Sequence, residues 1–232
     1  MNFASAWILC LLAGSGAANA ADLDVGFGAA VATDLPDKIS KDYARFGPGP
    51  SLQIPIRYAL APSARLRASL RADLGTGSDR VTWGESIDGE EQRFFDDDHF
   101  AMFLATALTL GPEIVLPLDG PLEPYFGVEA GAAWVGTYHS LGGITQRFMD
   151  PAVNDLKDPG NIDPFTSQVA FVSDIHVGAL TSGDVGAWFE LGYSMAFVGE
   201  SELTKTLPNY NARRSAYGWN AARLGAGVNF RI

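Results

Sequence analysis

Apolar and polar residues alternate with period two over eight stretches of the chain. The last stretch shows it most plainly. Leu224, Ala226, Val228, Phe230 and Ile232 share one parity; Arg223, Gly225, Gly227, Asn229 and Arg231 share the other. Successive side chains of a strand point to opposite faces, so this spacing predicts a strand with one apolar face and one polar or glycine face. The first stretch sets Leu23, Val25, Phe27, Ala29 and Val31 against Asp22, Asp24, Gly26 and Gly28. The second sets Leu52, Ile54, Ile56, Tyr58 and Leu60 against Gln53, Pro55 and Arg57; the third sets Leu66, Leu70 and Leu74 against Arg65, Arg67, Arg71 and Asp73. The fourth runs from Phe100 to Leu110. Its β-branched content is low, and alone it also fits a helix. The fifth holds Phe126, Val128 and Trp134 opposite Tyr125, Gly127 and Glu129. The sixth holds Val169, Phe171, Ile175 and Val177 opposite Asp174 and His176, and the seventh Phe189, Leu191 and Tyr193 opposite Trp188 and Glu190.

Two regularities run through the set. Connections alternate in length: residues 33–49, 75–98, 137–164 and 199–216 form long polar links, and shorter links rich in Pro, Ser and Gly follow the second, fourth and sixth stretches. Charge is confined to one parity. Arg57, Arg65, Arg67, Arg71, Asp73, Glu129, Asp174, His176, Glu190, Arg223 and Arg231 all fall opposite the apolar set. A water-soluble barrel with an apolar-ligand cavity, of the lipocalin kind, also alternates. It would have to bury charge on nearly every strand, which is costly. In a bilayer the sorting becomes economical. The uncharged face meets acyl chains, where an Arg or Lys costs roughly 2–4 kcal/mol, and the charged face pairs inside. Only helices and closed barrels satisfy their backbone in lipid, and segments of about 9–11 tilted residues span it. The predicted fold is therefore all-β: an eight-stranded antiparallel up-and-down transmembrane β-barrel with a filled polar interior. The expected interior pairs join Arg65, Arg67, Arg71 and Arg223 to Asp73, Glu129, Asp174 and Glu190. The last strand is expected to close the ring against residues 23–31.

Composition sharpens this picture. With 27 acidic residues against 16 Lys and Arg, the net charge is −11, and nucleic acid is not an expected partner. Residues 1–20 read as a secretory signal peptide. Phe3 to Ala13 is apolar, and Ala18-Asn19-Ala20 offers a small-x-small cleavage pattern, although no basic residue precedes the apolar core. Cleavage near Ala20 would remove Cys10, the one cysteine, and leave no disulfide or thiolate metal site. Residues 21–232 then form the barrel, with no second periplasmic domain.

On these features the chain resembles the small outer-membrane β-barrel proteins of Gram-negative bacteria, the class of the outer-membrane protein A transmembrane domain and its outer-membrane protein X-like relatives. The resemblance covers residues 21–232. It rests on the signal, the eight alternating strands, the alternating loop lengths and the terminal strand. In that class the last strand carries the signal read by the barrel-assembly machinery and usually ends in an aromatic residue. Here the end is Ile232, with Phe230 two before it. The resemblance implies location in the cell outer membrane, contact with its lipid and lipopolysaccharide, and a non-enzymatic structural or surface-interaction role for four long acidic extracellular loops. A conducting, porin-like channel is not expected from so filled an interior.

Candidate chemistry is sparse, and no catalytic, cofactor-binding or metal-binding residue is assigned. A lipid A-modifying enzyme is the alternative reading. It would need a Ser activated by a His, and His139 with Ser140 is the pair at a suitable depth. Neighbours on a strand point apart, which works against their contact. His176 reads as an interior hydrogen-bonded residue. His99 follows Asp96-Asp97-Asp98, an acidic run that a solvated loop explains better than Ca²⁺ binding. Trp83, Trp134, Tyr138, Tyr193, Tyr217 and Trp219 are expected near the outer border of the membrane and Tyr58 near the inner one, as aromatic girdles. Trp188 is expected in the core.

Overall fold

The computed structural model describes residues 23–34, 44–87, 90–116, 118, 120–139, 165–199, 201–202, 210–214 and 217–232. At residues 34, 44–46, 79–87, 90–99, 139, 201–202, 210–214 and 217–218 it describes the backbone alone. The signal segment, Ser140 and residues 141–164 lie outside the described residues.

Eight strands form the wall: β1 (Leu23–Asp34), β2 (Gly49–Ala61), β3 (Ala64–Ile87), β4 (Glu90–Val115), β5 (Leu122–His139), β6 (Phe165–Thr181), β7 (Val185–Val198) and β8 (Tyr217–Arg231). Each pairs antiparallel with its neighbour in the chain. β8 returns to β1, where Phe27 lies opposite Val228 and Gly28 opposite Gly227. The ring is closed, so no strand of the wall leaves a full edge unpaired in lipid. Followed once around, the register returns to its starting strand displaced by about ten residues, which for eight strands corresponds to a tilt of roughly 40°. The displacement is even, so each parity keeps its face all the way round.

Burial follows that parity. β7 alternates exposed and buried over its whole length. Leu52, Leu108, Phe171, Phe197 and Leu224 are more than half exposed, whereas Arg57, Glu113, His176 and Ser194 are at most 1% exposed. This inverts a soluble barrel: the outer face is an apolar belt, and charge is packed within. Glycines on the inner parity make room for large neighbours. A Cβ on Gly127 would collide with His176 Nε2, and one on Gly178 would stand 2.5 Å from the Tyr125 ring and hydroxyl.

The structure departs from the sequence expectation in two connections. Residues 75–87 and 90–98 are strand, not loop. β3 and β4 run on as a hairpin of 24- and 26-residue strands, paired to Ile87 and Glu90. A membrane crossing needs about 9–11 residues, so more than a dozen residues of each strand lie beyond it. Short strands at Ala44–Phe46 and Tyr210–Arg214 pair with this outer part of β3, and Ser201–Glu202 pairs with the latter. At the other end, the Pro-rich link expected over residues 111–124 shrinks to the segment between Val115 and Leu122. Glu113 thereby becomes a strand residue facing inward.

Candidate functional site

The interior is stacked in three zones. Near the short-turn end, Val115, Tyr125, Leu180 and Trp188 form an apolar cluster. Toward the long-connection end a larger cluster includes Phe103, Ala105, Ala133, Val135, Val172, Val198 and Trp219. Between them lies the charged set. Strand parity decides membership: on β3, Arg65, Arg67, Ser69, Arg71 and Asp73 occupy consecutive inward positions, and the facing strands supply the acids.

Arg67 on β3 and Glu190 on β7 sit on opposite walls and meet across the lumen. The guanidinium donates from Nη1 to Glu190 Oε2 at 2.5 Å and from Nη2 to Glu190 Oε1 at 3.1 Å. Such a fork fixes both groups. Tyr125 Oη at 3.0 Å and Gln53 Nε2 at 3.0 Å also donate to Glu190. Arg67 further reaches Glu113 at 3.3 Å and Glu129 at 3.2 Å, and Ser69 and Thr109 donate to the two oxygens of Glu129. A second group gathers on Asp174 Oδ2, which accepts from Arg71 at 2.7 Å, Arg223 at 2.6 Å and Ser194 at 2.5 Å. Arg71 also donates to Asp73 at 2.8 Å, and its guanidinium lies 5.6 Å from the Trp219 ring centroid. His176 stands between the groups, with Nε2 3.6 Å from Glu113 and Nδ1 3.6 Å from Asp174, too far for hydrogen bonds.

Of the expected pairings, Arg67 with Glu190 and Glu129, Arg71 with Asp73 and Asp174, and Arg223 with Asp174 are present. Arg65 is not in this set. It pairs with Glu113 and Glu123 at the short-turn rim, where Arg231 also meets Asp24 at 3.1 Å. One acid missed by sequence reading, Glu113, takes Arg57, Arg65 and Arg67. Its signal was parity, two residues on from Gly111 and four from Thr109, but the surrounding prolines read as a turn.

This geometry bears on the chemical candidates. Ser194, Asp174 and His176 lie close together, but all are at most 2% exposed and roofed by apolar clusters on both sides. Glu129, Asp174 and His176 bring potential metal-ligand atoms within 4.8 Å of one another. Glu129 accepts from Ser69 and Thr109 and lies beside Arg67, and Asp174 Oδ2 accepts from Arg71, Arg223 and Ser194, so both carboxylates belong to the ion-pair core. The side chains of His99, His139 and Asp96–Asp98 lie outside the described set. In backbone, Asp96, Asp97, Asp98 and His99 are strand residues of the projecting hairpin, opposite Thr82, Val81, Arg80 and Asp79.

The aromatic expectation is corrected in part. Trp134 and Phe165 meet at 6.0 Å, tilted to each other, on the outer wall, with Tyr138 exposed beside them, and Tyr58 is exposed near the short-turn end. Trp219 is no girdle residue. It is 3% exposed and meets Phe103 inside at 4.9 Å, because it shares the parity of Ala221 and Arg223. Tyr193 faces outward but lies mid-strand, opposite Ile175 and Ala222. Trp188 is core, 2% exposed. The side chains of Trp83 and Tyr217 lie outside the described set.

No protein-family model matches the chain, and no curated protein matches it by sequence. Among solved structures, the outer membrane protein OprG from Pseudomonas aeruginosa aligns at TM-score 0.50 and 10% identity, over 92% of this chain and 96% of that one. Neisserial surface protein A aligns at 0.43 and 14% identity, over 94% of this chain and 100% of that one. Ail, the attachment invasion locus protein of Yersinia pestis, aligns at 0.37 and 12% identity, over 90% and 97%. Closed ring, outward apolar belt, buried charged interior and the OprG alignment agree: the chain has the fold of the small eight-stranded outer-membrane β-barrels.

Proposed function

We propose that the protein is an integral outer-membrane barrel of a Gram-negative cell whose function is non-enzymatic and resides in the β-structure raised beyond the membrane. The supporting observation is the hairpin of β3 and β4, whose surplus length is braced by Ala44–Phe46 and Tyr210–Arg214. The transmembrane part is inert by construction, since its charges neutralise one another between two apolar plugs. The chemistry available to a partner is therefore outside. A braced sheet presents its residues at fixed spacing, at a lower ordering cost on binding than a mobile loop. The secretory reading of residues 1–20 and assembly through the terminal strand belong to the same proposal. Fractionation of cells producing the full chain, with heat-dependent gel mobility and protease shaving of intact cells, is the test. We expect a detergent-dependent, heat-modifiable band in outer membranes that shaving shortens within residues 79–98. A species soluble without detergent, or a hairpin protected on intact cells and cut only after lysis, contradicts the proposal.

A further inference from the structure

The buried charges of the lumen do not balance among carboxylate and guanidinium groups alone. Arg65 pairs with Glu123 and Arg231 with Asp24 at the short-turn rim. Further in, five buried carboxylates (Asp73, Glu113, Glu129, Asp174 and Glu190) stand against four guanidinium groups (Arg57, Arg67, Arg71 and Arg223) among the described residues. One negative charge is left over, and an uncompensated charge out of water is costly. The one other basic side chain buried there among the described residues is His176.

The position of His176 in the barrel fits it to that charge. Its cross-strand neighbours are Gly127 and Gly192, so neither adjacent strand sets a side chain beside the ring at that level. The side chain is 0% exposed, and neither ring nitrogen has a hydrogen-bond partner. Each faces a carboxylate: Nε2 is 3.6 Å from Glu113 Oε2 on β4, and Nδ1 is 3.6 Å from Asp174 Oδ1 on β6 itself. A neutral imidazole carries one N–H and one lone pair, so it would turn a lone pair on one of these carboxylates. An imidazolium has an N–H for each, and a closing of about 0.5 Å on either side makes both hydrogen bonds. Around this line, Glu129 from β5 brings an oxygen within 4.8 Å, and the Tyr125 ring centroid lies 6.1 Å away. Glu190 from β7 and Arg67 from β3 add one charge of each sign. Arg57 from β2 and Arg223 from β8 are engaged on Glu113 and Asp174 themselves.

We infer that His176 is the fifth buried cation of the lumen, an imidazolium bridging Glu113 and Asp174, and that its proton is a component of the folded barrel. The bridge joins the group around Glu113 to the group around Asp174. Loss of the proton leaves both carboxylates facing an uncharged ring, so the barrel is firm at neutral pH and looser in alkali.

The test uses the full chain folded in detergent micelles. In the variant His99→Gln, His139→Gln, His176 is the remaining histidine, and nitrogen NMR of histidine-labelled protein reads its ring protons directly. We expect both ring nitrogens to be protonated at about pH 7.5, where an ordinary histidine is mostly neutral. Urea unfolding between about pH 7 and pH 9 then compares the wild type with His176→Gln. In that range the unfolded chain has released the histidine proton and the folded barrel keeps it, so stability falls as pH rises. One proton corresponds to about tenfold in the folded-to-unfolded ratio per pH unit, and the wild type should lose up to that much more per unit than His176→Gln. A singly protonated ring in the folded barrel at about pH 7.5, or equal pH slopes in the two proteins, overturns the inference. The NMR measurement decides the matter if His176→Gln does not fold.

Discussion

Arg67→Met is the most informative single perturbation of the interior. Methionine keeps the apolar stem and removes the guanidinium, which is 1% exposed and contacts Glu190, Glu113, Glu129 and Ser69. Glu190 retains Tyr125 and Gln53 as donors, but three carboxylates now share the lumen without their central cation. Breaking a buried pair by removing one partner costs about 3–5 kcal/mol, because the other charge stays uncompensated. Unfolding in urea from detergent micelles, followed by gel mobility, should show a loss in that range. The companion Arg67→Met with Glu190→Leu removes both ends of the fork. It should recover about 2 kcal/mol or more over the additive expectation, with Glu113 and Glu129 accounting for the remainder. A single variant within about 1 kcal/mol of wild type would refute the network as a stabilising core. So would a double variant whose loss equals the sum of the two singles.

The other predictions test separate parts of the structure. Val228→Arg places a guanidinium on the lipid face and should cost about 2–4 kcal/mol and reduce membrane assembly. Asn229→Asp, one residue along, faces Arg57 at 3.4 Å and should assemble at wild-type yield; the reverse ranking in outer-membrane fractions would mean that the two faces are exchanged. Gly127→Ala drives a methyl group into His176 and should destabilise by about 1–3 kcal/mol in the same urea titration, a loss reduced in the double variant with His176→Ala. Replacing residues 80–97 by a short turn should leave barrel stability within about 1 kcal/mol, because the wall pairs independently below that level; collapse of urea resistance would show that the hairpin carries the fold. In planar bilayers the wild-type chain should give no large steady conductance, and open steps would show that the two apolar plugs are not closed.

Much of this was legible in the sequence because one rule, parity, governs both faces of a strand. The same rule explains the misses where it was set aside. Nearness to residues 199–216 suggests a girdle position for Trp219, although it lies two residues from Ala221 and four from Arg223 on the inward parity. Pro112, Pro117 and Pro121 around Glu113 suggest a turn, although a proline next to a strand end is compatible with the ladder. The acidic run at Asp96–Asp98 suggested a solvated loop, yet opposite it the β-branched and aromatic residues of Val81-Thr82-Trp83 favour a strand. Which acid meets which arginine was not readable. It depends on the displacement accumulated around the ring, a property of closure that no single strand encodes.

That closure has a consequence for how the chain enters a membrane. Arg67 and Glu190 lie on strands four places apart in a ring of eight, and Arg71 finds Asp174 three strands away. The β3–β4 hairpin alone can keep Arg71 on Asp73 and Arg67 on Glu113, but Glu190 and Asp174 find their guanidinium partners only on strands that are not their neighbours. A partly inserted sheet would therefore hold bare carboxylate groups against hydrocarbon, whereas in the finished cylinder they are paired. Insertion and closure are thus bound into one event: the barrel must curl while it still has access to water or to an assembly partner, and cross into lipid only as its last seam, β1 against β8, comes together.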